Sequence, residues 1–318
     1  MGRFSDLRAV CCSLVVALSL AGSPPGVFRG SGNVDAVARW ETWLGRPAHT
    51  VLDFLSRESW QKIAAPGWWV ETWSRSPYRD RLVYSVPLLP DGLGTLAAGA
   101  RGAHDRHFRR LARMLVAHGQ GDVTIRLGWE FNGDWYRWNA ARRPRAFVTY
   151  WRRIVRTMRR VRGADFRFDW CTNLGRGTIA PPRVYPGDRY VDFIGADVYD
   201  HGWRPGYRRD RTRWRELRDQ PYGLRWQRDF ARAHRKPMSF PEWGVVRRAD
   251  GHGGGDSPYF VRRMHDWIAA NRVAYHNYFE VDTPGARIRL MTGRFPRASR
   301  AFRRLFGAEP LDRAGPSR

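Results

Sequence analysis

The sequence predicts an α/β fold: a single (β/α)8 barrel of the TIM type. Two observations lead there. Short apolar runs alternate with amphipathic stretches along most of the chain, as in repeated βα units. The length of 318 residues suits one large barrel better than two ordinary domains, and neither a linker nor an internal repeat divides it.

The elements follow in order. Strands are predicted at Gly26–Arg29, Thr50–Leu55, Leu82–Leu88, Val123–Trp129, Phe166–Trp170, Val191–Val198, Pro237–Phe240 and Val273–Phe279. Helices are predicted over Asn33–Leu44, Ser59–Ala65, His104–His118, Arg145–Arg162, Tyr222–His234, Pro258–Asn271 and Pro296–Phe306. The plainest is Arg145–Arg162. Phe147, Trp151, Ile154, Val155, Met158 and Val161 share one face, five arginines take much of the rest, and Pro144 sits just before the start. Gly67–Trp73 is predicted as a Trp-rich loop and Asp250–Asp256 as a mobile Gly-rich loop.

At the N-terminus, Arg3 and Arg8 precede an apolar stretch, Ala9–Ala21, too short to span a membrane. Small residues follow, then Pro24-Pro25. This reads as a secretory signal over residues 1–23, ahead of a barrel domain at 26–308 and a frayed tail at 309–318. The expected location is extracellular or at the cell envelope, with no transmembrane span after signal removal. Of three cysteines only Cys171 follows the signal, so no internal disulfide is expected and a monomer must rely on its packed core.

The formal net charge is +26, and all but two of the 56 basic residues are arginine. The sign is that of a nucleic-acid binder. The arginines, however, recur along helix faces, where a solvated outer ring is the simpler account, so nucleic acid is not an expected partner. The excess of base over acid fits anionic envelope polymers instead. A composition with 16 tryptophans suits a large core with a few rings left to line a sugar-binding cleft.

Catalytic groups of such barrels sit at the C-terminal ends of strands. Two glutamates fall there: Glu130, within Trp129-Glu130-Phe-Asn132-Gly-Asp-Trp135, and Glu242, within Pro241-Glu242-Trp243-Gly244. Each is a lone acid among aromatics where an apolar run ends. A cap or an arginine ion pair explains either one singly. Together, at the ends of strands four and seven, they suit glycosidic cleavage with retention, which needs two carboxyls about 5 Å apart, one protonated and one ionised. Mutual repulsion in a partly apolar site raises the pKa of one member of such a pair.

These segments, with Gly195-Ala-Asp197-Val-Tyr199 after strand six, resemble glycoside hydrolase family 26, the β-mannanase-type family of clan A. The resemblance runs in order from about Gly26 to Gly307. It implies Glu130 as general acid/base and Glu242 as nucleophile. It also implies that Tyr199 hydrogen-bonds the nucleophile and that Asp197 supports the acid/base side. The implied activity is endo-hydrolysis of a β-linked polysaccharide of mannan, glucan or xylan type, without a cofactor. The departure is Trp129, where the family usually carries His. Indole donates one hydrogen bond and accepts none. A barrel that grips glycan without cutting it is the rival reading.

Trp129, Asn132, Trp135, Trp138, Trp203 and Trp243 join Asp197 and Tyr199 as candidate substrate-binding residues, with Trp135, Trp138, Trp203 and Trp243 as stacking platforms. Arg126 either orients substrate or the acid/base, or pairs with a carboxylate inside the barrel. His276 and Cys171 read as buried core groups, and His252 as a minor substrate contact. No zinc spacing, calcium loop or phosphate-binding loop is visible, so no metal is expected.

Overall fold

The computed structural model describes residues 23–308, so the signal and tail expectations lie outside the described residues. Eight parallel strands close into a barrel. In chain order they are β1 (Pro25–Phe28), β2 (Val51–Phe54), β3 (Leu82–Val86), β4 (Thr124–Leu127), β5 (Arg167–Asn173), β6 (Phe193–Tyr199), β7 (Met238–Gly244) and, after a two-residue strand β8 (Arg247–Arg248), β9 (Val273–Phe279). Pairing of β1 with β9, from Pro25 opposite His276 to Phe28 opposite Phe279, shuts the ring and leaves no open edge. β8 pairs only with β10 (Ala286–Arg287), antiparallel and outside the barrel.

The outer helices are α1 (Val34–Leu44), α2 (Trp60–Ala64), α3 (Trp68–Ser74), α4 (Leu96–Ala100), α5 (Asp105–Ala117), α6 (Pro144–Arg159), α7 (Asp210–Asp219), α8 (Leu224–Ala233), α9 (Pro258–Ala270) and α10 (Pro296–Phe306). Asn33 and Ser59 cap α1 and α2 through their side chains, and Pro144 takes the first turn of α6. The inner faces of α5 and α6 are buried, and the Trp151 indole donates to the Leu127 carbonyl at 3.0 Å, fastening α6 to β4.

The structure departs from the sequence pattern at three places. The Trp-rich segment is the helix α3, whose Val70 and Trp73 are buried, with the Trp73 indole donating to Asp53 of β2 at 2.5 Å. α4 and α7 were not expected at all. α7 buries only two apolar side chains, Trp214 and Leu217, and docks through buried Arg213 and Glu216, so it carries no apolar stripe to read. β7 also continues four residues past Phe240, which puts Glu242 inside the strand.

The barrel interior is polar. Asp169 accepts from Ser239 at 2.5 Å and from the Tyr275 hydroxyl, joining β5, β7 and β9 across the lumen. Burial raises its carboxyl to about 6. Above it lie Cys171, Arg126 and Asp197, all buried. Arginines line shallow surface depressions beside α5, α6, α9 and α10, so the basic charge surrounds the barrel and is not gathered on one face.

Candidate active site

β4 ends at Leu127, and the chain turns through Gly128 (φ 57°) into Glu130 (φ 49°). A positive φ costs energy in a side-chain-bearing residue. It is held here by bonds on both sides: the Glu130 N–H donates to the Cys171 carbonyl at 2.9 Å, and its own carbonyl accepts from Gly133 at 2.9 Å. The half-buried carboxyl accepts from the Asn173 amide at 2.7 Å and from the Trp135 indole at 2.9 Å.

Asn173 is in turn clamped by Asn132. The Asn132 side chain accepts from the Asn173 N–H at 2.9 Å and donates to its carbonyl at 2.8 Å. Asn132, buried and doubly committed, therefore acts on Glu130 through Asn173 and does not face the cleft. Burial, followed by the charge of Glu242, raises Glu130 to about 7, against the pull of Asn173, Arg126 and Trp135.

Glu242 is 8% exposed. One oxygen accepts from Arg126 at 2.6 Å and the other from the Tyr199 hydroxyl at 2.7 Å. Burial and the neighbouring Glu242 charge push the Tyr199 hydroxyl far up, so it remains a donor. Arg126 also donates to Ser85 at 3.1 Å and to Asp197, which accepts from the Cys171 thiol at 3.3 Å on its other oxygen. The second option for Arg126 is thus the one found, a pair with carboxylates inside the barrel. Asp197 was expected on the acid/base side. Its side chain is buried, so it is no substrate contact, and it bonds Arg126 and Cys171, whose carbonyl accepts the Glu130 N–H.

The tryptophans divide into two groups. Trp135 and Trp203 are more than half exposed at the mouth. Trp203 stacks on His252 at 4.3 Å, and His252 stacks on Tyr207 at 4.7 Å. Trp129 is buried, edge-on to Phe54 at 5.3 Å, and its N–H is spent on the Tyr136 hydroxyl at 2.9 Å. Trp138 and Trp243 are not platforms. Trp138 is buried and donates to the Trp129 carbonyl at 2.8 Å. Trp243 points outward, away from its neighbour Glu242, because side chains alternate along a strand. It packs among Phe260, Tyr278, Phe302 and Phe306 and donates to His276 at 3.0 Å. His276 is a core histidine, its other nitrogen bonded to the Ser23 carbonyl at 2.8 Å, and burial lowers it to about 4.

The Gly-rich loop is tied down. Gly254 donates to the Asp200 carbonyl at 2.7 Å, Gly202 donates to the His252 carbonyl at 3.2 Å, and Gly253 bridges His201. Buried Arg213 of α7 grips Asp200 through two nitrogens, at 2.8 and 3.2 Å, and Glu216 accepts from the Trp203 N–H at 3.1 Å. α7 thus holds the loop that carries Trp203. Not every acid at the mouth is of the Glu130 and Glu242 kind. Glu280, just past β9, accepts from the backbone of Leu290 and Met291 at 2.8 and 2.9 Å, an anchoring role. No cluster of three or more metal-binding side chains occurs among the described residues.

Residues 112–209 match the family model described as Glycosyl hydrolase family 26, a stretch that includes Glu130, Asp197 and Tyr199 but ends before Glu242. The chain is 23% identical over 263 residues to Endoglucanase H of Acetivibrio thermocellus, covering 76% of this chain but only 27% of that protein. It is thus similar to about a quarter of that relative's length. Among solved structures it is similar to a modular endo-β-1,4-mannanase from Cellulomonas fimi (TM-score 0.60, 19% identity, 88% of this chain and 71% of that one). It is also similar to the catalytic domain of the Bacillus sp. JAMB-750 endo-β-1,4-mannanase (TM-score 0.57, 16% identity, 92% and 89%). Those likenesses bear on the fold alone. The segment that matches the glycosyl hydrolase family 26 model lies on β4, β5 and β6 of the barrel and the loops that follow them.

Proposed function

We propose that this protein is a secreted retaining glycoside hydrolase that cuts within β-linked polysaccharides, with Glu130 as acid/base and Glu242 as nucleophile. The unequal surroundings of the two carboxyls carry the reading. Glu130, raised to about 7, keeps a proton to give near neutral pH. Glu242 receives a hydrogen bond on each oxygen, as an acceptor-only carboxylate does.

In this scheme Glu130 protonates the glycosidic oxygen while a Glu242 oxygen attacks the anomeric carbon. The C–O bond breaks, the leaving sugar departs as an alcohol, and a glycosyl ester remains. Glu130, now ionised, takes a proton from water, which attacks the same carbon and frees Glu242. Tyr199 and Arg126 hold the attacking carboxylate in line, and exposed Trp135 and Trp203 offer flat faces to sugar rings.

The relatives' names supply the substrate candidates, an endoglucanase and two mannanases. The apolar stretch behind Arg3 and Arg8 supports export, and no described helix is long and apolar enough to cross a membrane. The test is reducing-sugar release from mannan, glucan and xylan by the wild type and by Glu242→Ala. We expect one glycan to be cleaved and the variant, still folded, to be inactive. Full activity in the variant would refute the assignment.

A further inference from the structure

A large concavity lies outside the catalytic mouth. It has a volume of about 1410 Å³, against 280, 370 and 410 Å³ for three other arginine-lined depressions. It runs between α4, the first turns of α6 and a short 3-10 segment, Pro181–Val184. Six arginines line it: Arg137, Arg142, Arg143, Arg145, Arg152 and Arg183. No acidic residue lines it.

These arginines differ from those that build the fold. Arg153, Arg159 and Arg213 each meet a carboxylate partner within 2.8 Å. Of the groove's six, Arg137 and Arg152 donate only to backbone carbonyls, those of Gly94 and Pro186. Five of the six are exposed. Gathering like charges in one concavity is unfavourable unless an anion neutralises them.

We propose that this groove is a second binding site, for a polysaccharide chain bearing carboxylate or phosphate groups. Three features select that class. Guanidinium presents a planar fork of donors that matches either anion. The volume exceeds the roughly 300–1,000 Å³ of a small-molecule pocket, which suits a polymer segment. Apolar Leu96 and Val148 supply C–H surface between the charges. A single-stranded nucleic acid calls for open aromatic faces on which bases stack. The one aromatic in the lining, Tyr185, is engaged by Trp170, Phe230 and His234.

The inference does not depend on cleavage. It is tested by calorimetric titration of the full protein at physiological salt with polygalacturonate, poly(glycerol phosphate) teichoic acid, neutral glucomannan and single-stranded DNA. The variant replaces Arg142, Arg143 and Arg145 with Gln. The control replaces Arg297, Arg300 and Arg304, which line the 410 Å³ depression, and changes net charge equally.

We expect tight binding of one or both acidic glycans, weakened about tenfold or more in the groove variant and little in the control. Whichever acidic glycan binds identifies the anion. Glu242→Ala should bind as the wild type does, so failure here and failure of the hydrolase reading are seen separately. Equal loss in variant and control, tighter groove-dependent binding of DNA, or no binding of either acidic glycan would overturn the proposal.

Discussion

Arg126 donates to Glu242 at 2.6 Å from a position of complete burial, and its other terminal nitrogen is taken by Asp197. One cation thus serves two carboxylates, while Glu130 takes its hydrogen bonds from neutral groups, Asn173 and Trp135. This difference separates the proposed acid from the proposed nucleophile. It also makes Arg126 a member of the fold as much as of the site.

Removing that cation leaves Asp197 and Glu242 facing each other unpaired in the interior. Truncating one partner of a buried ion pair costs about 3–5 kcal/mol. Arg126→Ala should lose stability of that order in urea unfolding. Arg126→Lys, with a point charge in place of a fork, should recover only part of it. A stability loss below 1 kcal/mol in Arg126→Ala would mean the network is not what organises the barrel interior.

If Glu130 is the acid proposed above, its proton sets the alkaline limit of catalysis. With its carboxyl at about 7, kcat/KM should fall as pH rises through about 7. Asn173 favours the charged form, so Asn173→Ala should move this limb to higher pH, and Trp135→Phe should do the same. A pH–rate profile decides it: an unmoved limb in both variants would place the controlling proton elsewhere.

The same carboxyl makes stability depend on pH. Its folded pKa, about 7, lies above its unfolded value of about 4.5, so the native state binds the extra proton between them. Stability from this group is full below about pH 4.5 and is lost as pH rises through about 7. Glu130→Gln, which keeps the shape and removes the titration, should match the wild type at pH 4.5 and exceed it in Tm at pH 8. A wild type more stable than the variant at pH 8 would reverse the sign.

Much of this architecture was legible in the sequence because barrel strands and apolar-faced helices repeat a simple pattern. All eight barrel strands lie where alternation placed them, and α10 spans the residues expected. The failures share a cause. α7 docks by charge, through Arg213 and Glu216, and so lacks the periodicity that reveals a helix. β5 was ended at Trp170, three residues short, which left Asn173 in an unread loop and hid the partner of Glu130. A better signal was present in Thr172-Asn173, polar residues that continue an apolar strand toward the mouth. Trp138 and Trp243 were misplaced because proximity to a catalytic residue in sequence does not say on which side of a strand a ring emerges. The bond of Asp197 to Arg126 has no local signal, because Arg126 comes from a strand two places away in the ring.

That alternation on β7 has an effect on how the protein can change. Glu242 reaches into the lumen while the next residue, Trp243, is wedged among rings of β9, α9 and α10. The Glu242 carboxyl is therefore aimed from both sides of its strand, by Arg126 and Tyr199 within the lumen and by the packing of Trp243 behind it. Loops at the rim can be exchanged to suit new sugars with the aim preserved, whereas one trimmed ring on the far side of the strand would let it drift.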